Sequence, residues 1–236
     1  MRKAGHVVRE ALELVRAMVK PGLTTMDLEK AAEARIKELG AKPAFKGYHG
    51  YPCVLCTSIN GEVVHGIPSK KRILHEGDVV SVDCGAFVEG YCGDAAITVP
   101  VGEISPDAAR LLRVTEQSLH AAIDVVKPGA TLGDVGHAVQ KVVEAEGFSV
   151  VRDFVGHGIG AAMHEDPQVP NYGVPGRGLR LRAGMVIAIE PMVNAGRPEV
   201  RVLADGWTAV TVDGSNSAHF EHSVAVTESG GRILTD

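Results

Sequence analysis

Aromatic residues are scarce in this chain, at 4% of 236 positions with a single tryptophan, and long apolar runs are absent. No stretch approaches the roughly 18 consecutive apolar residues that a membrane-spanning helix needs. The opening MRKAGHVVRE lacks the apolar centre of a signal peptide, so a cytoplasmic location is expected. There is no long Lys/Arg run and the net charge is −5, which argues against nucleic acid as a primary ligand. Cysteine is limited to Cys53, Cys56, Cys84 and Cys92. The CVLC motif has no second cysteine pair to complete a structural zinc site, and no helix obviously begins after its first cysteine, as thioredoxin chemistry would want. Cys84 and Cys92 could face one another across a hairpin, but reducing cytosol disfavours a disulfide, so free thiols are expected.

What is present is an ordinary globular composition, 45% apolar, long enough for one large domain or two small ones. AGHVVREALELVRAMV places Val7, Val8, Ala11, Leu12, Val15 and Met18 at helical spacing, and VKPG stops it. A second helix is expected over about 25–39, capped by Thr24 or Thr25 and closed by Gly40. Short apolar runs from Ala41 to Thr98 look like antiparallel strands. The helical pattern restarts at Ser105 and Pro106 and again ends in VKPG. The segments 19–41 and 126–148 then align at a constant offset of 107, pairing Thr24 with Thr131 and Asp27 with Asp134. Although KPG is also a common helix terminator, the shared downstream positions favour two similar halves, about 1–104 and 105–236, with a site at their junction.

The stretch VVSVDCGAFVEGYCGDAAITV, 79–99, reads as a hairpin whose two apolar strands each carry an aspartate. A turn centred between Val88 and Glu89 would set Asp83 directly opposite Asp94, with Cβ atoms about 4.5–5.5 Å apart. Two ionised carboxylates there repel unless one is protonated, one caps a turn, or a cation bridges them. Further donors favour the cation: His157 between glycines, Glu190 ending an apolar strand and Glu221 starting another. Acids with one imidazole suit a pair of divalent first-row ions of the kind used in hydrolysis.

At these residues the sequence resembles the methionine aminopeptidases. The likeness runs through YHGYP, VVHGIP, SVDCG, GYCGDAAIT, GHGIG with MHEDP and VPNYG, VIAIEPM and FEHSVAVTE, across almost the whole chain. It implies an α+β pita-bread (creatinase/aminopeptidase) fold: a single catalytic metallopeptidase domain over 1–236, with two pseudo-symmetric helix–helix–sheet halves around a curved antiparallel β-sheet. It implies Asp83, Asp94, His157, Glu190 and Glu221 as metal ligands, with Asp94 and Glu221 bridging two divalent ions, Mn, Fe, Co or Zn. His65 and His164 match the family's two non-ligand active-site histidines, and Glu190 is the candidate proton shuttle. Tyr48, Tyr51, Cys56, Trp207, Phe45 and Met163 fall where the family lines its methionine pocket.

His164 and Glu190 are 26 residues apart, leaving no room for the insertion that marks type II enzymes, so the chain resembles type I. It also lacks the Cys/His-rich zinc-binding extension, which resembles the bacterial form, and it opens inside the first helix, where relatives carry further residues. The implied activity is removal of initiator methionine from nascent polypeptides whose second residue is small, by a monomer with no membrane partner. Ribosome contact through Lys70, Lys71 and Arg72 is a candidate, although a solvated loop is the favoured reading. The rivals are an Xaa-Pro aminopeptidase or prolidase, which shares the fold and ligands, and a non-catalytic pita-bread binding protein, which should lack ligands. GHGIGA at 156–161 fits a loose dinucleotide fingerprint, but the prolines that follow exclude the helix such a fingerprint must open.

Overall fold

A computed structural model describes residues 1–236. The first half runs α1 (Arg2–Met18), α2 (Thr25–Glu38), β1 (Lys42–Pro43), β2 (Leu55–Ile59), β3 (Glu62–Val64), β4 (Val79–Val88) and β5 (Tyr91–Pro100). The second half begins with α3 (Pro106–Asp124), α4 (Leu132–Ala145), β6 (Ser149–Val150), β7 (Gly156–Gly158) and β8 (Glu165–Val169). It continues with β9 (Val186–Ile189), β10 (Met192–Asn194), β11 (Val200–Val202), β12 (Ala209–Thr211), β13 (Ser217–His219), β14 (Glu221–Thr227) and β15 (Gly230–Ile233). No helix is long and apolar enough to cross a membrane.

The helices begin where the sequence places their caps. Thr24 and Thr131 each close a capping box, the hydroxyl accepting the N–H of Asp27 or Asp134 while the aspartate accepts the threonine N–H. Ser105 caps α3 and Pro106 occupies its first turn, where a missing N–H costs nothing. The spacing of 107 extends beyond the helices. Gly22 N–H donates to Leu74 O as Gly129 N–H does to Leu181 O, and Thr25 N–H to Arg72 O as Leu132 N–H does to Leu179 O.

One long antiparallel sheet runs in the order β1-β4-β5-β14-β9-β7-β8, with β2 and β15 pairing to β4 and β14. Its middle strands therefore come from both halves. Alternate strand residues point to opposite faces. On the helix-covered face Val80, Val82, Cys84, Ala95 and Ile97 join one apolar core with Val8, Leu12 and Val15 of α1 and Leu111 and Leu119 of α3. A fully buried Val or Leu contributes roughly 1.5–3 kcal/mol relative to exposure, so this face holds the sheet together. The other face is left for the acids.

The hairpin register differs from expectation. Val88 pairs with Tyr91, so the two-residue turn is Glu89–Gly90, both at positive φ (52° and 82°). Such a turn matches the twist of the flanking strands, and glycine at its second position adopts that conformation without strain. The shift sets Asp83 opposite Ala96 and Asp94 opposite Gly85, making the aspartates diagonal rather than direct neighbours. It also separates the thiols: Cys84 faces Ala95, Cys92 faces Phe87, and all four cysteines are free and buried. GHGIGA opens no helix; its first three residues form β7, and β8 follows.

Candidate active site

Two adjacent lateral rows on the uncovered face collect the acids. Cys56, Asp83, Ala96 and Glu221 form one row across β2, β4, β5 and β14, and continuing the β14–β9 ladder by one residue adds Glu190. In the neighbouring row Gly85 pairs with Asp94, and Asp94 is tied to Ser223 by two bonds, N–H to Oγ at 3.0 Å and Oγ–H to O at 2.8 Å. Ser223 pairs with Ala188, which the β7–β9 ladder sets beside His157. Small residues, Cys56 and Ala96 in the first row and Gly85, Ser223 and Ala188 in the second, leave room between the larger side chains. At Gly85 a Cβ would sit 2.7 Å from the Phe45 ring and 3.2 Å from Asp94 Oδ1.

These side chains floor a cavity of about 340 Å³. All thirteen residues singled out from the sequence line it: the five donors, His65, His164, Tyr48, Tyr51, Cys56, Trp207, Phe45 and Met163. The apolar wall is a compact cluster containing Phe45, Tyr51, Cys56 and Met163, with Trp207 packed against it. Tyr51 and Trp207 meet edge to face at 5.0 Å between ring centres, and Tyr51 OH is held by Leu55 O at 2.9 Å. That wall suits a flexible, polarisable aliphatic side chain.

The electrostatics of the floor are unfavourable as they stand. Burial pushes Asp83 up to about 7. Burial, reinforced by neighbouring acids, drives Asp94, Glu190 and Glu221 well above the usual carboxylate range. Asp83 Oδ1, Asp94 Oδ1, Glu221 Oε1 and His219 Nε2 are buried without a hydrogen-bond partner. Unpartnered polar atoms in such number are costly, and a divalent cation would remove the cost. The donor set fits one. Ligand atoms of Asp94, His157 and Glu221 lie within 4.8 Å of one another, as do those of Glu190, His219 and Glu221. His157 is oriented for ligation, because its Nδ1 donates to Gly158 O at 2.9 Å and leaves the Nε2 lone pair facing Glu190, 3.6 Å away. Burial and then His164 push His157 down to about 4, so it is neutral near pH 7.

The sequence reading missed two residues here. His49 lines the mouth and was passed over inside YHGYP. His219, fully buried with Nε2 3.8 Å from Glu190 Oε2, lies two residues before Glu221, a spacing that could have signalled it.

The model of metallopeptidase family M24 matches residues 1–228. The methionine aminopeptidase of Clostridium acetobutylicum is 54% identical over 235 residues, covering all of this chain and 94% of the relative. The crystal structure of methionine aminopeptidase from Thermotoga maritima superposes with a TM-score of 0.99 at 54% identity, covering all of this chain and 95% of that one. The chain belongs to the M24 metallopeptidases, and its fold is the pita-bread architecture of that family. Within them it is a member of the bacterial type I methionine aminopeptidases. The prolidase of Pyrococcus horikoshii shares the fold alone, with a TM-score of 0.80 at 23% identity, and this chain spans 60% of its length.

Proposed function

We propose that this protein removes the initiator methionine from nascent polypeptides in the cytoplasm, favouring a small second residue. The observation that carries the reading is the convergence, in one cavity, of unpartnered buried carboxylates and an apolar wall of Phe45, Tyr51, Met163 and Trp207. Asp83, Asp94, His157, Glu190 and Glu221 would hold two divalent cations, of Mn, Fe, Co or Zn type. Bound there, the cations supply Lewis acidity that lowers the pKa of water and polarises the scissile carbonyl.

The chain's own residues do the rest. The substrate's methionine side chain enters between Phe45, Tyr51, Met163 and Trp207, which fixes the amide over the floor. Glu190, at the floor's edge, takes a proton from the attacking water and passes it to the leaving amine. Burial and then its neighbours hold His65 near 4 and His164 below its ordinary value, so both are neutral donors near pH 7. The Tyr48 hydroxyl, 2.8 Å from His164 Nδ1, holds the ring, and in the tautomer where that hydroxyl donates, Nε2–H is left for the substrate amide. His65 approaches the same amide from the Trp207 side. Donors aimed at developing charge stabilise the tetrahedral intermediate.

The test is metal-dependent release of methionine from Met-Ala-Ser, with Met-Lys-Ser and Ala-Pro peptides alongside. Equal cleavage of the first two removes the second-residue selectivity, and preference for Ala-Pro replaces the reading with a prolidase-like one.

A further inference from the structure

Arg72 ends a basic run that looks solvated in sequence. Lys70 and Lys71 are exposed, but the Arg72 side chain retains only 21% of its surface and turns inward. Its Nη1 donates to Thr57 O at 3.0 Å and to Ile67 O at 2.9 Å, while Nη2 pairs with the Glu62 carboxylate. Glu62 Oε2 in turn accepts the Ile59 N–H at 2.7 Å.

These partners bracket His65. Glu62 precedes it, Ile67 follows it, and Thr57 lies on the adjoining strand β2. The turn needs holding, because His65 stands at φ 61°, a conformation that side chains with a Cβ seldom adopt. Gly66 is pressed so closely on β2 that a Cβ there would lie 2.1 Å from Thr57 O. The Trp207 turn is tied to the same strand: β12 pairs with β3 at Ala209–Val64 and Val210–Glu62, Glu62 being the residue Arg72 grips, and just before β12 the Asp205 carboxylate accepts the N–H groups of Trp207 and Thr208, both at 2.9 Å. Trp207 and His65 then stand edge to face, with ring centres 6.4 Å apart.

We propose that Arg72 is a positioning residue that locks the His65 turn and the Trp207 turn into one frame, fixing the distance between the amide-binding imidazole and the methionine pocket. This rests on the roles given above to His65 and Trp207. A planar fork with several donors can serve Thr57, Ile67 and Glu62 together, which an ammonium point charge cannot do with the same geometry.

Trp207 is the sole tryptophan, so its fluorescence reports the frame without reference to activity. In metal-free Arg72→Met, its emission should shift to the red and acrylamide quenching should rise several-fold, with far-UV circular dichroism unchanged. With Mn bound, kcat/KM for Met-Ala-Ser should fall about 10²-fold, the cost typical of a misplaced reacting group, with the loss mainly in kcat. Arg72→Lys should recover part of both signals. In a His65→Ala background the same Arg72→Met change should cost less than about 3-fold, because coupled residues are not additive. Wild-type fluorescence in Arg72→Met, or losses that multiply in the double variant, would overturn the proposal. If Arg72→Met does not fold, Glu62→Gln carries the same test: intermediate changes in quenching and kcat support the frame, and none overturns it. Should the wild-type chain release no methionine, the functional reading fails, while the fluorescence still decides whether Arg72 holds the two turns.

Discussion

The Tyr48 hydroxyl lies 2.8 Å from His164 Nδ1, so a residue of the cavity wall restrains the orientation of the imidazole proposed to meet the substrate amide. Removing that hydroxyl frees the imidazole to turn. Tyr48→Phe should therefore lower kcat by roughly 10-fold, equivalent to about 1.4 kcal/mol and so to one ordinary hydrogen bond, while KM changes less. Steady-state kinetics on Met-Ala-Ser would check this, and an unchanged kcat would remove the orienting role.

Stability without cations should depend on pH in a defined way. Asp83 is raised from 3.8 to about 7, so its contribution is present below its ordinary value and is lost as pH rises through 7; Asp94, Glu190 and Glu221 shift in the same direction. His65 and His157, lowered from 6.5 to about 4, act oppositely: their contribution is present above 6.5 and lost as pH falls toward 4. The two sets offset one another between those values, and above 6.5 only the acids remain. The melting temperature of chelator-treated protein should therefore decline from pH 6.5 to 8.5. Added Mn should raise it more at the upper end. A metal-free melting temperature that climbs over this range would contradict the account of the floor.

Gly85 leaves the space that Phe45 and Asp94 use. Gly85→Ala should push the ring and the carboxylate apart, destabilising the fold by about 1–3 kcal/mol through overpacking and weakening cation affinity at the same time. Denaturant melts and calorimetric titration with Mn would measure the two effects. A variant that loses stability but binds cations normally would show that Asp94 does not depend on this spacing.

His219 Nε2 lies 3.8 Å from Glu190 Oε2 and 4.0 Å from Glu221 Oε2 and has no other partner. Groups that orient ligating carboxylates typically change metal affinity by about 10–100-fold when removed. His219→Leu should weaken Mn binding by that order, and His219→Gln, which keeps a donor, by less. Equal titration curves for the two variants would assign His219 to packing alone.

Much of the site was legible because acids and an imidazole are conspicuous in apolar strands: Asp83, Asp94, His157, Glu190 and Glu221 all line the cavity. The helices were legible through Thr24, Ser105 and Thr131, whose capping roles are local. The hairpin register was not, because it depends on which two residues occupy the turn, and Glu89–Gly90 moved the aspartates onto a diagonal. Arg72 was misread as solvated because two of its three partners are backbone carbonyls, which every sequence contains and none reveals.

The two rows of the floor draw on strands from both ends of the chain, and that arrangement has a consequence for assembly. A one-residue slip of β14 against β5 would turn Glu221 toward the helices and bring His222 to the floor in its place. Neither half supplies all five proposed donors, so a misaligned sheet would lose the proposed cation site as surely as a mutated donor would. Cation affinity would thus double as a fidelity check on folding: only a chain whose distant segments have met in register would become loaded.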